Sequence, residues 1–217
     1  MPDRSRIEQL LRDGAILVFE DCDLSGADLS RLNLQEASFR NCALLETSFY
    51  AANLSRTRWQ RCRAGHADYE SSDLVDAQFE SSDLNNTKWR RAKLGSSTFR
   101  SCKLTGASFE DVSYLGLSFA DSLLIGADLR RMSFRKMTLV GLDFADADLS
   151  GCDFRDAVFE GGSLRDAHIK DTRFDGADLR EADLGGLKLV NAKLFAGATI
   201  SPRQAAELVR AMGLDVA

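Results

Sequence analysis

Large apolar residues recur at every fifth position along most of this chain. Counting in fives from Phe19 to Leu194 lands on a large apolar residue at every step except Ala64. An α-helix has a period of about 3.6 residues and a strand a period of 2, so neither produces this spacing. A short repeat sustained over such a length predicts a solenoid, whose stacked repeats bury one continuous core.

Each pentad has a second inward position, two residues before the large apolar one. We call the large apolar position i. Position i−2 is mostly small, as in Ala27, Cys42 and Thr47, and no charged residue occupies either position between 17 and 196. Positions i−1, i+1 and i+2 are mostly polar. Two residues in five are therefore predicted to face inward and three to face solvent.

Several pentads read Ala-Asp-Leu, among them Ala27-Asp28-Leu29 and Ala127-Asp128-Leu129. This pattern resembles the pentapeptide-repeat family, A-(D/N)-L-x-x, over residues 17–196. The resemblance implies an all-β fold, a right-handed quadrilateral β-helix with one pentad per side and four sides per turn. About nine coils spaced about 4.8 Å apart would make a rod about 43 Å long. The two prolines, Pro2 and Pro202, lie outside the repeat, as a backbone hydrogen-bond ladder requires.

With four pentads per turn, every twentieth residue shares a face, and one face is largely aromatic. We expect this ladder to be core packing and not a binding stripe, because its members occupy the inward register. Its members are Phe19, Phe39, Trp59, Phe79, Phe99, Phe119, Leu139, Phe159 and Leu179.

All five cysteines occupy position i−2, and four of them (Cys22, Cys42, Cys62 and Cys102) share one face. Adjacent coils would bring the first three within disulfide distance. In a reducing cytosol we expect free buried thiols. A metal site is not expected, because ligands stacked on one wall do not converge on an ion.

The composition favours neither a nucleic-acid binder nor a membrane protein. The net charge is −5 and the pI is about 5.2, whereas nucleic-acid-binding domains are basic. No run of apolar residues is long enough to span a membrane. Residues 1–16 contain acids and lack the apolar core of a signal peptide, so a cytoplasmic location is expected.

No constellation of residues indicates catalysis. The two histidines, His66 and His168, are predicted to face outward and to lie about five coils apart. No glycine-rich phosphate loop is present. A uniform rod also offers no deep pocket. We therefore expect a protein that is not an enzyme and carries no cofactor.

Short helices are predicted at both ends. Residues 1–16 form an amino-terminal capping segment, with a helix at 3–12 that places Ile7, Leu10 and Leu11 on one face. Residues 197–217 form a carboxyl-terminal segment. There Ser201 suits the N-cap, Pro202 the first helical position and Gly213 the stop.

The carboxyl-terminal helix carries an apolar stripe. Ala205, Leu208, Val209 and Met212 recur at helical spacing, and Leu214 follows in an extended tail. These five residues are predicted to cap the rod and to form a homodimer interface.

The final residues, 201–217, look like the ends of pentapeptide-repeat proteins that protect type II topoisomerases from quinolones and natural-product poisons. Those proteins dimerise end to end through a short helix of Q-A-x-x-L type. The resemblance implies that this chain binds DNA gyrase or topoisomerase IV without catalysis. One departure is that no loop interrupts the pentads between 17 and 196, so a mechanism that depends on such loops does not transfer.

In that group an acidic rod is thought to imitate DNA. The predicted acidic partner-binding face consists of Asp143, Asp146, Asp166 and Asp183. A duplex of the rod's length would carry about 25 charges, against a net charge of −5 here, so the overall imitation is poor. An equally open interpretation is that outward aspartates are simply the repeat consensus.

Another function class stays open, an immunity or scaffold protein that binds a different partner. Two features could serve it. The first is the segment 112–142, where Val112, Leu117, Met132, Met137 and Leu142 place bulky residues at i−2, and Leu115, Ile125 and Val140 are apolar at outward positions. The second is a basic stretch in coils 2–4: Arg56, Arg58, Arg61, Arg63, Lys88, Arg90 and Arg91. A passive structural rod is a third possibility.

Overall fold

The computed structural model describes residues 4–187, 192–211, 213 and 215–216. Two α-helices, α1 (Arg4–Arg12) and α2 (Pro202–Ala211), lie at the chain ends. Between them are eight three-residue strands, one every 20 residues, and a 3₁₀ helix at Ala192–Phe195. The strands are β1 (Val18–Glu20), β2 (Ser38–Arg40), β3 (Arg58–Gln60), β4 (Gln78–Glu80), β5 (Thr98–Arg100), β6 (Ser118–Ala120), β7 (Thr138–Val140) and β8 (Val158–Glu160).

The chain divides into two compact units, residues 1–123 and 124–217. In the first unit β1 to β6 form one parallel sheet in sequence order, and in the second unit β7 pairs with β8. Every strand pairing joins residues 20 apart, such as Phe19 with Phe39, and the single bridges before the last turn repeat that offset on the other sides. Seven full turns separate β1 from β8, and further bridges follow β8. The predicted all-β pentapeptide solenoid with terminal helices is confirmed.

Positions i and i−2 form the core, as predicted. Phe39, Cys42 and Leu44 have no solvent exposure, and the same pattern recurs along both units. The inward side chains that are only half-buried include Val112 and Tyr114.

The corners are built by turns whose i+2 residue has a positive φ. Glycine takes this position in some turns, for example Gly26 at φ 68°, but Arg31, Asn41 and many others adopt the same conformation. A left-handed conformation costs a residue with a side chain about 1 kcal/mol or more. The turn bond, such as Ala27 N–H to Leu24 O at 3.0 Å, and the bonds between coils offset that cost.

Two aromatic ladders fill the first unit, and only the one that begins at Phe19 was predicted from the sequence. Phe19 to Phe119 stack with centroids 4.0–5.3 Å apart. The second ladder consists of Phe49, Tyr69, Trp89 and Phe109 and meets the first edge to face, at 84–90° between Phe39 and Phe49 and between Phe79 and Trp89. Edge-to-face contact aligns the positive ring edge of one stack with the negative ring face of the other.

In the second unit the stacked aromatic rings come from a different pentad of the 20-residue turn. Leu139, Phe159 and Leu179 are buried as predicted, but the stacked rings are Phe134, Phe154, Phe174 and Phe195, with centroids 4.8–5.1 Å apart.

The prediction of an uninterrupted series to Leu194 is wrong in the last turn. Phe195, and not Leu194, stacks on Phe174, and Asp178 pairs with Thr199, an offset of 21 residues. The turn therefore contains one extra residue, and the 3₁₀ helix lies in this turn. Leu189 falls outside the described residues.

The five cysteines are free thiols in the structure, and all but Cys22 are buried. The Cys42 thiol donates to the carbonyl oxygens of Phe19 and Arg40 at 3.4 and 3.3 Å. Burial raises the pKa of Cys102 to about 11 and that of Cys152 to about 12. These two thiols therefore stay protonated at neutral pH and pack as small apolar groups.

Helix α1 covers one side of the first coil. Ile7 is buried at 1% exposure, and Leu10 and Leu11 are half-buried. The Arg4 guanidinium donates to the carbonyl oxygens of Asp28 and Ser30 at 2.8 and 2.9 Å. These oxygens face the open end of the first coil, so Arg4 supplies the bonds that a preceding coil would make.

The Tyr69 hydroxyl is fully buried and, among the described residues, has no hydrogen-bond partner. We expect Tyr69→Phe to leave the free energy of unfolding unchanged or to raise it by about 1 kcal/mol, because it removes an unsatisfied polar group. Urea denaturation followed by tryptophan fluorescence measures this.

Thr57→Val is the matched control. The Thr57 hydroxyl donates to Leu54 O at 2.6 Å and accepts from Trp59 Nε1 at 2.8 Å. We expect this variant to lose about 1–3 kcal/mol, since it leaves the indole N–H unpaired. A loss of that size in Tyr69→Phe would contradict the assignment.

Candidate protein-interaction site

The four predicted acidic residues lie in two neighbouring columns of the second unit. Asp143 and Asp183 occupy position i−1, joined through Ser163 by bridges between adjacent coils. Asp146 and Asp166 occupy corner position i+2, 20 residues apart, with φ of 56° and 53°. The structure thus brings all four to one face, with Asp146 and Asp166 the more exposed pair.

Asp143 and Asp183 also support the fold. The Asp143 carboxylate accepts the Ala145 N–H at 3.0 Å, and the Asp183 carboxylate accepts the Gly185 N–H at 2.9 Å. Asp28, Asp68 and other i−1 aspartates make the same Asx turn. The repeat consensus therefore has a local structural cause, because a carboxylate at i−1 satisfies a corner amide.

Arg165 neutralises part of the negative charge of this acidic face. Its guanidinium donates to one Asp183 oxygen from Nη2 at 2.8 Å and from Nε at 3.1 Å. The Gly185 amide and this guanidinium lower the pKa of Asp183, which stays ionised at neutral pH. Asp143, Asp146 and Asp166 have no ion-pair partner within the described residues, so they carry the net negative charge of the face.

Two glycines make room for this corner. A Cβ on Gly185 would come within 2.6 Å of the Arg165 guanidinium. A Cβ on Gly186 would collide with the Asp166 carboxylate, and its φ of 68° also favours glycine. The glycine pair thus lets the charged side chains of one coil lie flat over the next.

Helix α2 is anchored by Gln204, which is 3% exposed. Its side-chain amide donates to the carbonyl oxygens of Leu179 and Ala182, each at 2.7 Å. The Gln204 amide oxygen accepts the Ser201 N–H at 2.6 Å, and Ser201 Oγ accepts the Gln204 N–H at 3.3 Å. Ser201 is therefore the N-cap as predicted. The S-x-x-Q spacing of Ser201 and Gln204 is a capping box, and it is the sequence signal for the reciprocal bonds between these two residues.

Three of the five residues predicted to form the dimer interface lie within the described part of the chain. Ala205, Leu208 and Val209 are half-buried, and Val216 in the tail is 37% exposed. Met212 and Leu214 lie outside the described residues. Gly213 follows the helix at φ 85° with its N–H bonded to Arg210 O at 2.8 Å, as expected for a stop residue.

Residues 112–142 fall in both units. In the first unit Leu117 is buried at 6%, Val112 is half-buried and Leu115 is 91% exposed. In the second unit Met132 and Leu142 are buried, whereas Met137 and Ile125 are half-buried and Val140 is 37% exposed. The bulky i−2 residues are therefore mostly accommodated in the core.

His66 and His168 are both exposed, as predicted. Within the described ranges, no group of three His, Cys, Asp or Glu side chains could hold a metal ion. The same ranges contain no helix of the length and apolarity that crossing a bilayer requires.

Sequence profiles of pentapeptide repeats match most of the chain. A pentapeptide repeat region matches residues 17–89, and pentapeptide repeats of eight and nine copies match 72–111 and 134–201. The chain belongs to the pentapeptide-repeat family. A comparison with curated proteins finds no match.

Among solved structures, the fold is similar to that of QnrB1, a plasmid-mediated fluoroquinolone resistance protein. A trypsin-treated variant of QnrB1 superposes with a TM-score of 0.80 at 22% identity, covering 92% of this chain and 99% of that one. Full-length QnrB1 gives 0.80 at 21% identity, with 91% and 100% covered. A second trypsin-treated variant gives 0.70 at 20% identity, with 92% and 99% covered.

We expect Gln204→Ala to weaken the docking of α2, because the carbonyl oxygens of Leu179 and Ala182 lose their donor. The expected cost is about 1–3 kcal/mol, seen as faster hydrogen exchange in α2 and in residues 179–187. Glu207→Ala is the control, since Glu207 is exposed and its ion pair among the described residues is with Arg203, on the same helix. Equal exchange in both variants would contradict the anchoring role.

Proposed function

We propose that this protein binds a type II topoisomerase, DNA gyrase or topoisomerase IV, and protects it from quinolones or natural-product poisons. The observation that carries the proposal is the likeness to QnrB1 along nearly the whole of both chains. The mechanism is occupancy of the enzyme's surface, with no chemical step. The acidic face supplies the electrostatic complement to a surface that normally receives DNA.

Within the acidic face, Asp146 and Asp166 are the residues that we propose contribute most to binding. Asp146 and Asp166 are exposed, have no ion-pair partner among the described residues and lie on adjacent corners. Asp143 adds a third charge, while Arg165 offsets Asp183. The surface is therefore a local patch of negative charge, consistent with a net charge of only −5.

A gyrase cleavage assay with ciprofloxacin tests the proposal directly. We expect increasing amounts of this protein to reduce the drug-stabilised double-strand cleavage, because a bound competitor lowers the population of the gyrase–DNA complex. The assay is repeated with topoisomerase IV. Unchanged cleavage of both enzymes at a large excess of protein would reject the function.

The acidic face is tested with a fourfold Asp→Asn variant at 143, 146, 166 and 183. Asparagine removes the charge yet keeps the Asx-turn acceptor, as Asn33 and Asn53 already do in this chain. The net charge becomes −1 in place of −5. We expect topoisomerase binding to weaken by about tenfold or more, measured by surface plasmon resonance at low and physiological salt.

The control is the matched Asp→Asn variant at 68, 73, 76 and 111 in the first unit. It removes the same charge from two turn aspartates, one of them ion-paired, and from two corner residues. If both variants lose affinity equally, overall charge and not this face governs binding.

The homodimer is proposed through α2 and the tail. Leu208 and Val209 stay partly exposed on a helix whose one buried described side chain is Gln204, so apolar area remains to be covered. We expect Leu208→Arg together with Val209→Arg to give monomers by sedimentation equilibrium, with Ala211→Arg, at an exposed position, remaining dimeric. A double variant that sediments as a dimer would place the interface elsewhere.

A further inference from the structure

One corner of the first unit carries exposed cations that the fold leaves without ion pairs. Elsewhere in this unit many cations are paired: Arg40 with Glu20 at 2.9 Å, Arg56 with Glu36 at 2.7 Å, and Arg91 with Glu70. The exceptions at this corner, within the described residues, are Arg58, Arg61, Arg63, Arg100 and Lys103, which we call the basic corner. Of the basic stretch predicted from the sequence, Arg56, Arg90 and Arg91 are thus neutralised locally.

The 20-residue register places these cations on two nearby coils. Arg58 lies between Ser38 and Gln78 on the strand face, and Arg100 lies next to Glu80. On the adjoining face, Arg63 and Lys103 lie on either side of Asp83. Since adjacent coils are about 4.8 Å apart, the basic corner extends about 10 Å along the unit.

A surface groove of about 230 Å³ adjoins this corner at Arg58. Arg58, Gln60 and Gln78 line it with N–H donors, and Glu80 lines one side. Guanidinium and amide groups are the donors that suit a carboxylate, and a guanidinium binds one in a bidentate geometry.

The acids on the coil between these cations, Glu80 and Asp83, do not neutralise the corner. Asp83 accepts the Asn85 N–H at 3.2 Å in an Asx turn and has no ion-pair partner in the part of the chain that the structure describes. Glu80 likewise makes no ion pair with the neighbouring Arg58 or Arg100. Asp23, two coils from Arg63 in the same column, is a third nearby acid. Five cations therefore face three acids, in a protein whose net charge is −5.

We propose that the basic corner binds an acidic segment of a partner protein, with a carboxylate side chain seated in the groove against Arg58. This interaction is separate from the topoisomerase surface of the second unit and does not depend on it. The size of the corner favours a short peptide segment, because duplex DNA binding relies on many phosphate contacts along a longer track. The acidic remainder of the protein also repels an extended polyanion.

The test is fluorescence anisotropy of a fluorescein-labelled octaglutamate peptide titrated with the full-length protein. We expect saturable binding that weakens with salt, and about tenfold weaker binding to the double variant Arg58→Glu, Arg61→Glu. Glutamate is tolerated at such corners, since Glu36 and Glu46 adopt the same positive φ. Glu80→Gln should strengthen binding about two- to threefold by removing repulsion in the groove.

Lys88→Glu together with Arg31→Glu is the matched control. Lys88 occupies the same i−1 position as Arg58, and Arg31 the same corner conformation as Arg61, with φ of 60° and 52°. This control should bind the peptide with less than about twofold change. No binding by the wild-type protein, equal loss in both double variants, or stronger binding to a duplex of about 20 base pairs than to the peptide would each overturn the proposal.

Discussion

The backbone hydrogen bonds between coils are the constraint on which the rest of this structure depends. They join residues 20 apart, so each side chain lies directly above its counterpart one turn away. Like side chains then stack on like, which is why aromatic rings form ladders with nearly parallel planes. The same register lines up outward residues in columns, so the surface charge is organised by the ladder as strictly as the core.

The period of five was enough to predict a solenoid, and the resemblance to the pentapeptide-repeat family supplied its four-sided β-helical form. The extra residue in the last turn escaped prediction, because Leu194 and Phe195 are adjacent apolar residues and either satisfies the pattern. The stacking of Phe195 on Phe174 and the 21-residue offset between Asp178 and Thr199 distinguish them. The second aromatic ladder was visible in the sequence as Phe49, Tyr69, Trp89 and Phe109, but its edge-to-face contact with the first depends on the distance across the core.

The acidic face was predicted by residue, but its chemistry was not. An outward aspartate looks the same in the sequence whether its carboxylate satisfies a turn amide, pairs with arginine or presents a free charge. In the structure Asp183 does the first two, whereas Asp146 and Asp166 remain exposed at corners. The basic stretch divides in the same way, because pairing depends on which acid occupies the adjacent coil. Sequence columns 20 apart show Arg56 beside Glu36 and Arg58 beside Ser38, so this distinction is readable once the register is known.

Two side chains with several N–H donors carry out related tasks in the two units. Arg4 bonds to two carbonyl oxygens of the first coil, and Gln204 bonds to two carbonyl oxygens late in the repeat. Neither residue belongs to a pentad, yet each mimics the donors that another pentad would bring. In an uncapped repeat, the unpaired backbone groups of the last coil could bond to the first coil of another chain, and stacking could continue. Because Arg4 and Gln204 occupy such acceptors, fewer unpaired carbonyl groups remain in each unit on which a second chain could stack.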